Sequence, residues 1–303
     1  MHALPRSIEG VVHVELLRGA KAADAPPTLL VEVPHGADER AHYDALRTRL
    51  VGTLPDDLHV FFHLNTDVGA WAYGRAVAEA VVAAEPTRAA LVLRCLIPRT
   101  FIDCNRPADF TGDTDLDKGG VTAGIPAYVR DPADRALLLD LHRRYVRVVE
   151  QAFAAVCGQG GLALLPHTYG PTTLGIARVD EDIVDLLRWA HEPERVDTWP
   201  MRAEIDLLTR DAEGKDWSPR GLEALLMQRF RAAGFDPRAN DTYNLHPATL
   251  GHTWSVRYPK QVLCLEVRRD LLVPKWRPFE PMRADAARVA RVVEVLAPAL
   301  LRR

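Results

Sequence analysis

The sequence predicts an α/β fold: a three-layer sandwich around a mixed, mostly parallel central sheet. Three observations lead there. Short β-rich runs are too apolar to leave a face in water. Helical patterns lie between them, with apolar residues recurring three and four positions apart. Polar and ionisable residues collect where the runs stop, and open α/β sheets bind ligands beyond those strand ends. A chain of 303 residues is about twice the roughly 150 of a typical domain. With no linker-like composition and no internal repeat, it reads as a single domain over 1–303 with an insert or lid at about 172–258.

In chain order, residues 28–33 read as the first strand, running into Pro34, His35 and Gly36. Residues 38–50 carry a helical repeat. The run 58–63 reads as a second strand, followed by Asn65 and Asp67, and 70–84 as a helix. Residues 90–95 form the next strand, ahead of Arg99 and the segment Asp103, Cys104, Asn105, Arg106. The stretch 109–124, rich in Gly, Asp and Thr, reads as a surface loop. Helix is expected over 132–157, strand over 162–165 ahead of Pro166 and His167, helix over 221–233, strand over 262–267 and helix over 283–301.

Composition removes several function classes. With 48% hydrophobic and 26% charged residues, the chain is neither disordered nor collagen-like. The 41 acidic and 38 basic side chains leave a net charge of −3, which offers no bulk attraction to nucleic acid or to an anionic membrane. The most apolar helical stretch, 76–84, is interrupted by Glu79 and falls well short of the roughly 20 residues of a membrane span. The first ten residues hold no apolar signal core. Cys95, Cys104, Cys157 and Cys264 form no C-x-x-C pair, so they are expected to be reduced core thiols in a cytoplasmic protein.

The strand ends supply a chemical kit. His35 and Asp38, three residues apart at a turn entering a helix, can converge on one cation, and His167 from a distant strand would complete three protein ligands. Three ligands with an open position are the layout of a catalytic zinc site holding one ion. Glu266, at the end of its own strand, is the candidate general base; the competing reading pairs it with Arg268 or Arg269. Arg106 with Asn105 offers a planar fork and a neutral donor for a substrate carboxylate, unless Arg106 pairs with Asp103 or Asp109. Arg99 would add positive charge or polarise a carbonyl.

The order of these segments resembles the zinc carboxypeptidase superfamily, and within it the N-formylglutamate amidohydrolase family, over roughly residues 28–270. The resemblance rests on Val33-Pro34-His35-Gly36, Asn65-Thr66-Asp67-Val68, the run from Arg99 to Arg106, Leu165-Pro166-His167-Thr168-Tyr169, the 251–258 stretch, and Leu265-Glu266-Val267-Arg268. It implies a zinc-dependent amidohydrolase acting on the N-formyl or N-acyl bond of a small acidic amino acid or short peptide. On that analogy His35, His167 and Asp38 bind the metal, with Asp67 a competitor for the third place. Glu266 and Arg99 act on the reacting amide. Asn105 and Arg106 hold the substrate carboxylate, and Arg257 binds a second one. The alternatives are a metallocarboxypeptidase acting on a free peptide C-terminus and a non-catalytic binding protein on the same fold.

Overall fold

The structure, a computed structural model, describes residues 4–113 and 120–301. Its strands are β1 (Val12–Arg18), β2 (Pro27–Val33), β3 (Ala89–Cys95), β4 (Leu162–Tyr169), β5 (Ile205–Leu208), β6 (Pro237–Ala239) and β7 (Val262–Arg268). They form one sheet in the order β1-β3-β2-β4-β7-β5-β6. The four central strands run parallel, while β1 joins β3 and β5 joins β7 antiparallel. The parallel strands are buried almost throughout, which fits their apolar sequence and the helices that cover both faces.

The helices are α1 (Arg40–Arg47), α2 (Leu58–Asn65), α3 (Ala70–Ala84), α4 (Pro132–Val156), α5 (Ile183–Ala190), α6 (Pro193–Val196), α7 (Leu222–Ala232), α8 (Leu250–Arg257) and α9 (Ala286–Leu300). Alternation along each strand divides the core in two. Leu29, Val31, Leu164, Leu263 and Leu265 pack with α3, α7 and α9. Leu30, Leu91, Leu93, Leu165 and Cys264 pack with α4 and with side chains of α1, α2 and α5. The sandwich expected from the sequence is therefore present, with a helical layer on each face.

One expected strand is a helix. Residues 58–63 belong to α2, and Leu58, Phe61 and Phe62 are buried at helical spacing. A six-residue apolar run fits a buried helix as well as a buried strand, and periodicity alone does not separate them. The 109–124 stretch is less of a surface loop than its composition implies. The Asp113 amide donates to the Val121 carbonyl at 3.0 Å, the Gly124 amide to that of Phe110 at 3.0 Å, and Val121 is buried. Residues 114–119 of that stretch lie outside the described residues. Within 172–258, β5 and β6 extend the main sheet. All four cysteines are free and buried. Among the described residues, no helix is long and apolar enough to cross a membrane.

Candidate metal centre

β2 stops at Val33 and the chain turns at once. A Cβ on Gly36 would lie 2.6 Å from Arg94 Cγ and 3.0 Å from the Cys95 carbonyl oxygen, so glycine lets this turn press against the end of β3. The turn presents His35. Asp67 lies between α2 and α3, two residues before Gly69, whose φ of +94° is left-handed. His167 lies in β4, in register with Glu266 of β7.

These segments converge. Asp67 Oδ2 lies 3.2 Å from Nδ1 of His35 and 3.2 Å from Nδ1 of His167, and accepts the Thr168 amide at 3.1 Å. The two imidazole rings are 5.1 Å apart between centroids. His35 Nε2 faces Asp103 Oδ1 at 2.7 Å. Burial works against all of these charges, but their partners outweigh it. The two histidines and Arg99 hold Asp67 well below the ordinary carboxylate range. Arg106, Arg99 and His35 do the same for Asp103, and the two carboxylates raise His35 above the usual imidazole value.

Two imidazoles and a carboxylate, all buried and with donor atoms within 4.8 Å of one another, form a group that can hold a metal ion. Asp103, on the far nitrogen of His35, stands where an outer carboxylate orients a ligating imidazole. The donor set therefore fits a metal ion, with Asp67 rather than Asp38 as its acid.

Asp38, the expected third ligand, is not in this group. Its Oδ1 accepts from Arg94 Nη2 at 2.7 Å, and Arg94 Nε holds the Gly36 carbonyl at 2.8 Å, so the turn directs Asp38 to the end of β3. Asp38 does belong to a second acid–imidazole group with Glu39 and His42, but Arg94 already neutralises both of its carboxylates. Arg257 also lies elsewhere: it is exposed on α8, 3.7 Å from Glu150 and beside the rings of Trp254 and Tyr258. Expected to bind a second substrate carboxylate, Arg257 is not among the residues that line the cavity holding Arg106.

The other expected residues share one cavity of about 860 Å³ with His35 and His167. Arg99 reaches Asp103 Oδ2 at 2.9 Å and Asp67 Oδ1 at 3.4 Å. Asn105 donates its amide N–H to Asp103 at 2.8 Å, and its side-chain oxygen accepts from Gly251 at 3.1 Å. Arg106 is fixed by the carbonyls of Thr122 and Asn105, each at 3.2 Å, and lies 3.8 Å from Asp103.

Glu266 also lines the cavity, and neither adjacent arginine pairs with it. Arg268 takes Asp270 at 2.8 Å and Glu204 at 3.4 Å, while Arg269 takes Asp67 at 3.5 Å. Glu266 Oε2 is buried without a hydrogen-bond partner. Burial pushes this carboxyl up to about 7, with His167 opposing and Asp67 adding to the shift.

Two cations in the site escaped the sequence reading in this role. Buried Arg269 braces Asp67 and donates to the Thr168 carbonyl at 3.0 Å; its place after a strand-end glutamate pointed to the wrong partner. Arg202, in the 172–258 stretch, is stacked between the rings of Tyr169 and Tyr243 and bonded to Thr173 at 3.1 Å and to the Tyr243 hydroxyl at 3.3 Å. Among the described residues no carboxylate lies within ion-pair distance of it, and its charge acts on Glu266 from farther away. No motif marks it in the sequence.

No protein-family model matches this sequence, and no curated protein is significantly similar to it. Several solved structures resemble the fold, among them the following two. One is N-formylglutamate amidohydrolase from Ralstonia eutropha JMP134, at a TM-score of 0.53 and 18% identity, covering 97% of this chain and 96% of that one. The other is the gene product Atu2144 from Agrobacterium tumefaciens, at a TM-score of 0.49 and 18% identity, covering 96% and 94%.

Proposed function

We propose that this chain is a zinc-dependent amidohydrolase that cleaves the N-formyl or N-acyl bond of a small acidic amino acid. One observation carries the reading. Glu266, whose buried carboxylate oxygen Oε2 has no hydrogen-bond partner, lines the same cavity as His35 and His167, the two imidazoles that converge on Asp67. A polar atom left unsatisfied in that place is costly to folding and calls for a functional reason. The likeness of fold to an N-formylglutamate amidohydrolase agrees with it.

A zinc ion held by His35, Asp67 and His167 would polarise the amide carbonyl and make a water acidic near neutral pH. Glu266 takes the proton of the attacking water and delivers it to the leaving nitrogen as the C–N bond breaks. The products are the free carboxylic acid and the amine. Arg99 sets positive charge beside the oxygen on which negative charge develops. Asn105 and Arg106 hold the substrate carboxylate, and Arg202 takes the second carboxylate in place of Arg257. The four unpaired, buried cysteines support a reducing compartment, the cytoplasm.

The Glu266→Gln variant tests this. It is expected to bind zinc with wild-type stoichiometry and to lose turnover of N-formylglutamate and N-acetylglutamate by about 10²–10⁴-fold. A variant that keeps its activity removes Glu266 from the mechanism. Cleavage of dipeptides but not of N-acylglutamates by the wild type would make the chain a carboxypeptidase instead.

A further inference from the structure

The cavity is larger and less polar on one side than an N-formyl amino acid needs. At about 860 Å³ it lies in the upper part of the roughly 300–1,000 Å³ range that encloses drug-sized ligands. Its charged groups come from the strand ends and the 99–106 segment. A second wall is apolar. Phe61 and Leu64 come from one face of α2, and Ile183 and Leu187 from one face of α5. Half-buried Ile176 and Val179 come from the irregular chain between β4 and α5. Arg188 of α5 holds Asp57, next to the start of α2, at 2.7 Å. The wall reaches the reaction centre: the Leu64 carbonyl accepts from Arg269, the guanidinium that braces Asp67.

We infer that the acyl half of the substrate is an apolar chain of several carbons, seated on this α2–α5 wall, with the amino-acid half at Arg106 and Arg202. This rests on the amidohydrolase reading, which assigns the cationic side of the cavity to the substrate carboxylates. With the amide placed at His167 and Glu266 and the amino-acid half on the cationic side, the acyl group takes the remaining side of the cavity, which Leu64 and the side chains beyond it line. Phe61, Ile183 and Leu187 are buried in the core behind this surface; a formyl hydrogen would leave the half-buried Leu64, Ile176 and Val179 in water, whereas an alkyl chain covers them. The substrate class is thus an N-acylated acidic amino acid with a short to medium fatty chain.

The test measures binding and turnover separately. Zinc-loaded, full-length Glu266→Gln protein is titrated calorimetrically with N-acetyl-, N-butanoyl-, N-hexanoyl- and N-octanoylglutamate. Each methylene that the wall buries is expected to tighten binding by up to about fourfold, so hexanoyl should exceed acetyl by at least roughly tenfold. Ile176→Asn and, separately, Val179→Asp, each shown by its melting curve to be folded at the temperature of the titration, should shrink that hexanoyl-to-acetyl ratio. An affinity that is flat or falls with chain length overturns the inference, even where the wild type hydrolyses N-formylglutamate. A rising affinity with no hydrolysis of any member by the wild type keeps the apolar subsite and overturns the hydrolase instead.

Discussion

Glu32 and Asp103 are two buried acids with opposite partners, and they behave oppositely. Glu32 points into the core, where burial raises its carboxyl; Tyr145, which donates to its Oε1, and the nearby His167 and His35 offset only part of that. The folded chain therefore holds a proton that the unfolded chain releases. The stability this contributes is complete below the ordinary glutamate value of about 4.3 and is lost as pH rises toward the folded pKa. Glu32→Gln keeps an acceptor for Tyr145. In urea melts it should match the wild type near pH 4 and gain on it by up to about 1.4 kcal/mol per pH unit within that window. A constant difference across pH would show that Glu32 is not protonated in the fold. For Asp103, the contact with His35 predicts that Asp103→Asn weakens metal binding about 10–100-fold in a chelator competition. Asp38→Ala, which removes only a partner of Arg94, should leave metal affinity as it is.

At the scale of elements, α3 approaches the sheet closely enough to matter for the site. A Cβ on Gly74 would lie 2.8 Å from Pro166 Cγ and 3.1 Å from Val31 Cγ1, and the neighbouring Tyr73 hydroxyl holds the His167 carbonyl at 3.0 Å. Gly74→Val should cost about 1–3 kcal/mol in a denaturant melt and displace the strand that carries His167, so turnover falls with stability. A fully stable, fully active variant would mean that this packing is slack. The sequence showed α3 end to end because its fifteen residues follow Gly69, contain no proline and repeat apolar side chains three and four positions apart. It concealed β1, an edge strand of partly exposed residues, and β5 and β6, with four and three residues too short for any period. His35, His167 and Glu266 were legible because each follows or ends an apolar strand. Asp67 ranks behind Asp38 in the sequence because the resemblance to carboxypeptidases favours an acid three residues after the first histidine, and only the fold shows the segment between α2 and α3 reaching those strands; Arg202 carries no motif at all.

At the scale of the molecule, the metal group draws on residues 35, 67 and 167, from three separate segments joined only by the finished sheet. An unfolded chain has no such group, so binding adds directly to stability. Zinc at a hundredfold excess over its dissociation constant should stabilise the fold by about 2.7 kcal/mol, seen as a melting temperature several degrees higher that a chelator reverses. His35→Ala should abolish the response. The buried cysteines give the same folded whole a built-in clock. Burial keeps the thiols of Cys104, Cys157 and Cys264 far from ionised, and alkylating reagents attack only thiolates that they can reach. Labelling therefore waits for the interior to open, and its rate counts the excursions of a single molecule out of its native state.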